Sequence, residues 1–339
     1  MQNFESVVEQ KCEQLLLKAY HFGASDLLLI PDEGRYRINF RKYDKLLYAG
    51  ELPNELAERI VSYYKFLAAL DISERRKPQS GSFQKTVEQN RFAFRVSTLP
   101  SAYLKESLII RLLLQNQSFP LTSLSYSKCA ADKLLELVDS KQGILLFSGA
   151  TGSGKTTSLY SLIHHCSTHL NKHVISLEDP VENNQAHLLQ IQVNERAGIT
   201  YASGLKAILR HSPDVIMIGE IRDQETAKIA IEASLTGHLV LTTIHAKDSV
   251  SCLHRLIDLG VSIEELRQTV IGIVAQILIQ APQMQEERRA LLEILSDVHL
   301  SEAIRAIRQK ASYELPYDLT LTGQKKLLER QHYATTRAY

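Results

Sequence analysis

The sequence predicts an α/β fold in two parts: a small α+β domain with an antiparallel sheet, followed by a larger domain of helices alternating with parallel strands. Three observations carry this. The 339 residues exceed the roughly 150 expected of one domain. Up to about residue 116, strands follow one another through short turns, which suits antiparallel pairing. From about residue 126, short and uniformly apolar strands alternate with helical stretches, the pattern of a parallel sheet covered on both faces.

The elements follow in order. Phe4, Val7, Val8, Cys12, Leu15, Leu16 and Ala19 recur at helical spacing over residues 4–22, and Gly23 stands where a C-cap glycine belongs. Arg35 to Arg41 alternates polar and apolar side chains, a strand with one buried and one basic face. A second helix is expected over about 55–69, a hairpin over 82–87 and 91–98 turning at Glu88-Gln89-Asn90, and a strand over 106–113. These make a domain of residues 1–116, joined by a linker at 117–125. The second domain, 126–322, has strand candidates at 144–147, 173–177, 215–218 and 239–243, with helices such as 156–168 and 225–233 between them. Residues 323–339, with Lys325, Lys326, Arg330 and Arg337, read as a basic C-terminal helix and tail.

Composition narrows the function classes. Hydrophobic residues make up 44% and charged residues 23%, an ordinary globular balance that excludes disorder as the main state. Thirty-nine Lys+Arg against 38 Asp+Glu leave a charge of +1, so no global field draws the chain onto nucleic acid. The N-terminus is acidic, and no apolar run approaches the about 18 residues of a membrane span, so a cytoplasmic protein is expected. Cys12, Cys129, Cys166 and Cys252 are far apart, without metal-ligand spacing, and read as reduced packing residues.

The chemistry begins at Gly149-Ala150-Thr151-Gly152-Ser153-Gly154-Lys155-Thr156, a full GxxxxGK[ST] run directly after an apolar strand and before a helix. Backbone N–H groups of such a loop curl round phosphates, Lys155 bridges the β and γ phosphates, and Thr156 ligates Mg²⁺. Gly149, Thr151, Gly152, Ser153, Gly154, Lys155, Thr156 and Thr157 are the candidate nucleotide contacts. In a parallel sheet the residues just after the strands face the ligand, and here they are polar. Glu178 ends one strand and is chosen as the base that polarises water, with Asp179 and Glu182 as neighbours competing for that assignment. Glu220 follows Val215-Ile216-Met217-Ile218, and because Gly219 stands where many such proteins carry the Mg²⁺ aspartate, Glu220 becomes the metal-side acid. His238 and His245 bracket the next strand, and either could sense the γ phosphate. Asn171-Lys172 lacks the aspartate of a guanine signature, since Val174 stands in its place.

These residues resemble the secretion ATPases of type II secretion, type IV pili and DNA-uptake machines, over nearly the whole chain. The resemblance is carried by Ile175 to Glu182, similar to that family's Asp box, by Pro213 to Asp223, similar to its atypical Walker B, and by Leu235 to Ala246, similar to its His box. Gly23-Ala24-Ser25-Asp26 and Arg95 to Pro100 resemble its N-terminal signatures. The resemblance implies a homohexamer of two-domain subunits, a PAS-like domain before a RecA-like P-loop motor domain, with ATP and Mg²⁺ bound at the cleft between them. It further implies that Arg95 and Arg111 reach the phosphates, and that the partner is a polytopic membrane platform protein at the inner face of the cell membrane.

Departures from the family pattern narrow the class. The extra N-terminal docking domain of many relatives is expected to be missing. The tetracysteine insertion is absent, so no zinc is expected, and Ile277 stands where relatives commonly carry an arginine near the nucleotide. A short, zinc-free chain of this kind looks most like the Gram-positive competence pilus assembly ATPase. The alternative is a retraction ATPase, where Ala303 to Arg308 bears a faint likeness to a retraction motif. A DNA translocase on the same core would need a basic channel with stacking aromatics, and the chain has no Trp. No direct nucleic-acid partner is therefore expected. The remaining class is a nucleotide-bound scaffold without turnover.

Overall fold

The structure is a computed structural model that describes residues 7–42, 45–101, 105–115, 119–185, 187–280 and 288–336, without the side chains of residue 196 and of 331–336. The chain divides into two compact units, one of residues 1–117 with 182–185, the other of 118–181 with 186–339.

The first unit is built from α1 (Val7–Phe22), β1 (Asp26–Asp32), β2 (Arg35–Lys42), β3 (Lys45–Pro53), α2 (Asn54–Leu67), β4 (Gln79–Val87), β5 (Asn90–Pro100) and β6 (Glu106–Leu114). Its sheet runs β3-β2-β1-β6-β5-β4, antiparallel throughout. The alternation over 35–41 holds except at Asn39: Tyr36, Ile38 and Phe40 are buried and Arg35, Arg37 and Arg41 exposed, while Asn39, on the polar face, is buried as well. Cys12, Leu15, Leu16 and Ala19 of α1 and Ile60, Val61 and Tyr64 of α2 cover that apolar face, and the Tyr64 hydroxyl donates to the Cys12 carbonyl at 2.9 Å. Burial pushes the Cys12 thiol up to about 12, so it stays protonated and packs as an apolar group. Gly23 has φ +70 and closes α1, the conformation a C-cap glycine supplies. The strands β1 and β3 are additions to the sequence reading. Asp26-Leu27-Leu28-Leu29-Ile30 lacks period-two alternation, and β3 is largely exposed, so neither carries the signature of a half-buried strand.

One buried ion pair ties this unit together. Lys65, fully buried on α2, donates to Glu106 at the start of β6 at 2.8 Å and to the Glu74 carbonyl at 2.7 Å. Removing one partner of a desolvated pair strands the other charge. Lys65→Met is therefore expected to lower unfolding free energy by about 3–5 kcal/mol, read from urea midpoints, and the double change with Glu106→Leu to recover most of it.

The second unit contains α3 (Leu121–Leu124), α4 (Lys128–Val138), β7 (Gly143–Ser148), α5 (Lys155–Thr168), β8 (Val174–Glu178), β9 (Leu189–Gln192), α6 (Tyr201–Ile208), β10 (Val215–Ile218), α7 (Gln224–Leu235), β11 (Leu239–Ile244), α8 (Ser249–Asp258), α9 (Ile263–Thr269), β12 (Val270–Gln280), β13 (Arg288–Ser296), α10 (Asp297–Arg308) and α11 (Leu321–Thr336). The sheet order is β13-β12-β7-β11-β10-β8-β9, parallel except for β12 with β13. The residues of β7, β8, β10 and β11 are buried throughout, and two apolar cores lie on the opposite faces, one around α6 to α9, the other around α4 and α5. This explains their uniform hydrophobicity, since no face of these strands meets water. The strands β9, β12 and β13 extend the predicted four. The stretch expected as a linker holds α3, whose Leu121 is buried. No helix among the described residues is long and apolar enough to cross a membrane.

The last turns of α5 gather His164, His165 and His169, with the rings of His165 and His169 stacked at 4.9 Å. Burial lowers the basicity of His164 and His165, and neighbouring His169 lowers it further. Their native-state basicity lies below that of the unfolded chain, so the unfolded state takes up protons first as pH falls below about 6.5, and stability falls with it. Stability is expected to decline between pH 7.5 and 5.5. His164→Gln with His165→Gln should flatten that slope in denaturant titrations at the two pH values.

Candidate nucleotide site

The strand β7 delivers the Gly-rich loop at its carboxyl end, and α5 starts at Lys155 directly behind it. Three glycines take φ values closed to most side chains: Gly149 at +144, Gly152 at +80 and Gly154 at +84. Gly149 is further constrained, since a Cβ there would lie 2.4 Å from the Gln276 carbonyl oxygen of β12. The Lys155 ammonium folds over the loop and donates to the carbonyls of Gly149 at 2.7 Å and Ala150 at 3.0 Å. Thr151, Gly152 and Thr157 are exposed, Thr156 is half-buried, and Ser153 is buried with its hydroxyl lacking a partner. A Gly-rich turn leading into the N-terminus of a 14-residue helix, with an ammonium beside it, suits an anion such as the phosphates of a magnesium nucleotide.

Next to β7 lies β11, then β10, then β8, so their carboxyl ends adjoin the loop. Glu220 follows β10 and accepts from the Arg222 guanidinium at 2.8 Å, with His245 Nε2 at 3.0 Å from its other oxygen. Arg222 also lies 3.7 Å from Asp179. Ser148 closes the β7 side: its hydroxyl donates to the Ala246 carbonyl at 2.7 Å, tying the Gly-rich loop to the segment that carries His245. Thr243 on β11 donates to the Gly219 carbonyl at 2.7 Å. A Cβ on Gly219 would lie 3.1 Å from the Tyr201 hydroxyl of α6 and in ordinary contact with the Glu178 Cα at 3.5 Å.

Glu178 is 3% exposed, and its carboxylate accepts from the Tyr160 hydroxyl of α5, from the Ser176 hydroxyl at 2.7 Å and from the Gln190 amide at 3.1 Å. These contacts fix the carboxylate between β8, α5 and β9. Tyr160, Ser176 and Gln190 were not singled out from the sequence; a polar residue in a largely buried element is the signal for Tyr160 and Ser176, whereas Gln190 sits on the mostly exposed β9. Asp179 leads into a cis bond with Pro180. Glu182 falls with the residues of the first unit, where its carbonyl accepts from the Gln115 amide at 2.8 Å and the Asn184 N–H donates back to Gln115 at 2.8 Å.

One sequence expectation requires correction. His238 precedes Leu239, the first residue of β11, and its carbonyl accepts from the N–H of Gly143, the first residue of β7. The two strands are parallel, so His238 marks the amino end of the sheet, and the loop marks the other. Its ring instead meets the Ala233 carbonyl at 2.9 Å and closes α7. Of the two histidines that bracket β11, only His245 stands on the loop's side.

Arg95 and Arg111 lie in the first unit, on one row across the sheet. Arg111 pairs in register with Asp26 on one side and Arg95 on the other, and Asp26 also pairs with Arg41. The Arg111 guanidinium bonds the buried Asp26 at 2.8 Å, with Arg41 4.0 Å away. One Arg95 nitrogen, Nη2, is buried without a hydrogen-bond partner. Asp26 and Arg41 complete this row and become visible only through the strand register.

The description "Type II/IV secretion system protein" matches residues 2–329. The chain is 45% identical over 272 residues to the competence protein ComGA of Bacillus subtilis, covering 80% of this chain and 76% of that protein. It is 42% identical over 317 residues to the ComGA of Halalkalibacterium halodurans, covering 89% and 91% respectively. Among solved structures, the pilus retraction motor PilT with bound ADP is 26% identical, with a TM-score of 0.69 over 88% of this chain and 87% of that one. A match across nearly all of the chain, with the Gly-rich loop, Glu220 and His245 set at adjoining strand ends, places this protein in the type II/IV secretion system protein family.

Proposed function

We propose that this chain is a motor ATPase that powers assembly of a type IV-like pilus for DNA uptake. The observation that carries the reading is the 45% identity to a competence protein over 80% of the chain, together with a complete phosphate cradle. ATP hydrolysis is its activity. Thr156 and Glu220 are the residues that would hold Mg²⁺, which when bound neutralises phosphate charge. Lys155 supplies the fixed positive charge at the phosphates, and His245 with Arg222 orients Glu220. The Tyr160, Ser176 and Gln190 donors at Glu178 favour a role as the anchored carboxylate that holds the end of β8, leaving Glu220 as the acid open to water. Arg95 and Arg111 are the proposed arginine contacts of the catalytic cycle.

The working form is a homohexamer acting on a membrane platform protein from the cytoplasmic face, with residues 1–116 as the N-terminal domain and 126–322 as the motor. Deletion of the gene in the source organism is the test: loss of both surface pili and transformation supports assembly. Accumulation of pili supports the second reading, a retraction motor, which the likeness to PilT favours. ATPase activity raised many-fold by DNA, and not by membrane partner, would overturn both.

A further inference from the structure

We propose that Gln276 is a positioning residue of the phosphate cradle: from β12 its side-chain amide holds the Ser153 carbonyl turned inward, so that this carbonyl is kept from facing a nucleotide. This rests on the reading of residues 149–156 as the nucleotide cradle.

The argument starts from a misfit. The strand β12 runs through Ile273, Val274 and Ala275 to Leu278, and Gln276 is the polar exception, 1% exposed. Register explains where it points. Ala275 pairs with Ser148, the last residue of β7, so the next residue of β12 lies beside the start of the Gly-rich loop. Its backbone carbonyl is the group that bars a Cβ at Gly149, and its Nε2 lies 3.0 Å from where a Cβ on Gly154 would be. One residue thus lies against both ends of the loop.

The amide donates from Nε2 to the Ser153 carbonyl at 2.8 Å. A carbonyl oxygen can only accept, so the amide has one sense: the opposite orientation would set oxygen against oxygen. Its Oε1 is consequently left buried without a hydrogen-bond partner. A buried amide with its acceptor unused is a burden that an apolar side chain of the same size would avoid. In stability the bond to Ser153 and the unused oxygen offset one another, so stability alone is a weak reason for a glutamine here. The cradle gives a stronger one, because a carbonyl released toward a triphosphate would place partial negative charge against negative charge, whereas backbone N–H groups favour it. Ser153 contributes the adjoining buried hydroxyl, also without a partner and 2.8 Å from the position of a Cβ on Gly149.

Function and stability should therefore separate. In the full-length protein, Gln276→Met removes both the donor and the partnerless oxygen at nearly constant volume. The dissociation constant for a fluorescent ADP analogue with Mg²⁺ is expected to rise at least about tenfold, with the KM for ATP following, for loss of one buried hydrogen bond. The melting temperature of the nucleotide-free protein is expected to hold. Gln276→Asn, whose amide is one methylene too short to reach Ser153, is expected to lose affinity equally, and it decides the matter if the methionine variant does not fold. Affinity within twofold of the parent in either folded variant overturns the proposal, as does a loss of affinity matched by an equal loss of nucleotide-free stability. Lys155→Ala measured beside them separates the two layers: if it too binds like the parent, the cradle reading itself fails. If it loses binding while the Gln276 variants keep it, only the role of Gln276 fails.

Discussion

Lys155→Ala is expected to abolish ATP hydrolysis, with phosphate release reduced by at least about 10²-fold, the scale for removing a preorganised charge contact at a transition state. The structure gives the reason. The Lys155 ammonium is held over the loop by the carbonyls of Gly149 and Ala150, at the first turn of α5, where the helix adds its own positive end. Alanine keeps the helix and removes the charge. The fold should survive, because the side chain is only half-buried and packs in neither apolar core. Near-parent turnover with an unchanged melting curve would take catalysis away from this loop.

The second large effect is expected at Glu178. Glu178→Gln should lower turnover at least about tenfold while leaving nucleotide affinity within a few-fold of the parent. The amide keeps the shape of the carboxylate but lacks its charge, and one of its two ends is a donor. At least one of the Tyr160, Ser176 and Gln190 contacts therefore loses its acceptor, and each was a charge-assisted bond. Tyr160 belongs to the helix that follows the Gly-rich loop and Glu178 ends β8, so the disturbance reaches the cradle and the segment after β8 together. Single-turnover kinetics beside ADP titration separate the two quantities. Unchanged turnover would show that the anchored carboxylate of Glu178 is dispensable, and glutamine at Glu220 or at Glu182 then locates the essential acid.

Much of the site was legible because its chemistry is local. The Gly-rich loop is contiguous, and three of its glycines take positive φ angles that such a loop favours. Glu220 and His245 could be read from position, since each follows a wholly apolar strand and strand ends in a parallel sheet face one way. The same rule handled strictly would have placed His238 at the amino end, because it precedes its strand. The inward donors at Glu178 were not legible. Whether a carboxylate at a strand end points into solvent or into a packed core depends on what α5 and β9 bring against it, and these contacts span 18 and 12 residues of sequence.

In the N-terminal unit, strict alternation revealed β2 but not β1 or β3, because the inner β1 is buried nearly throughout its first half and the edge strand β3 is mostly exposed. The row of Arg41, Asp26, Arg111 and Arg95 joins four strands and follows from register, which periodicity within any one strand does not specify.

By itself, the sequence determined what short-range sterics and hydrophobic period can encode: the class of fold, the order of its two parts, and a loop shaped for phosphate. The tertiary structure alone decided which polar side chains face one another, as Gln276 meets Ser153 across 123 positions and Glu293 meets Ser249 across 44. Such pairings arise when distant strands settle into register and buried groups must find partners, a condition that no local stretch of chain contains.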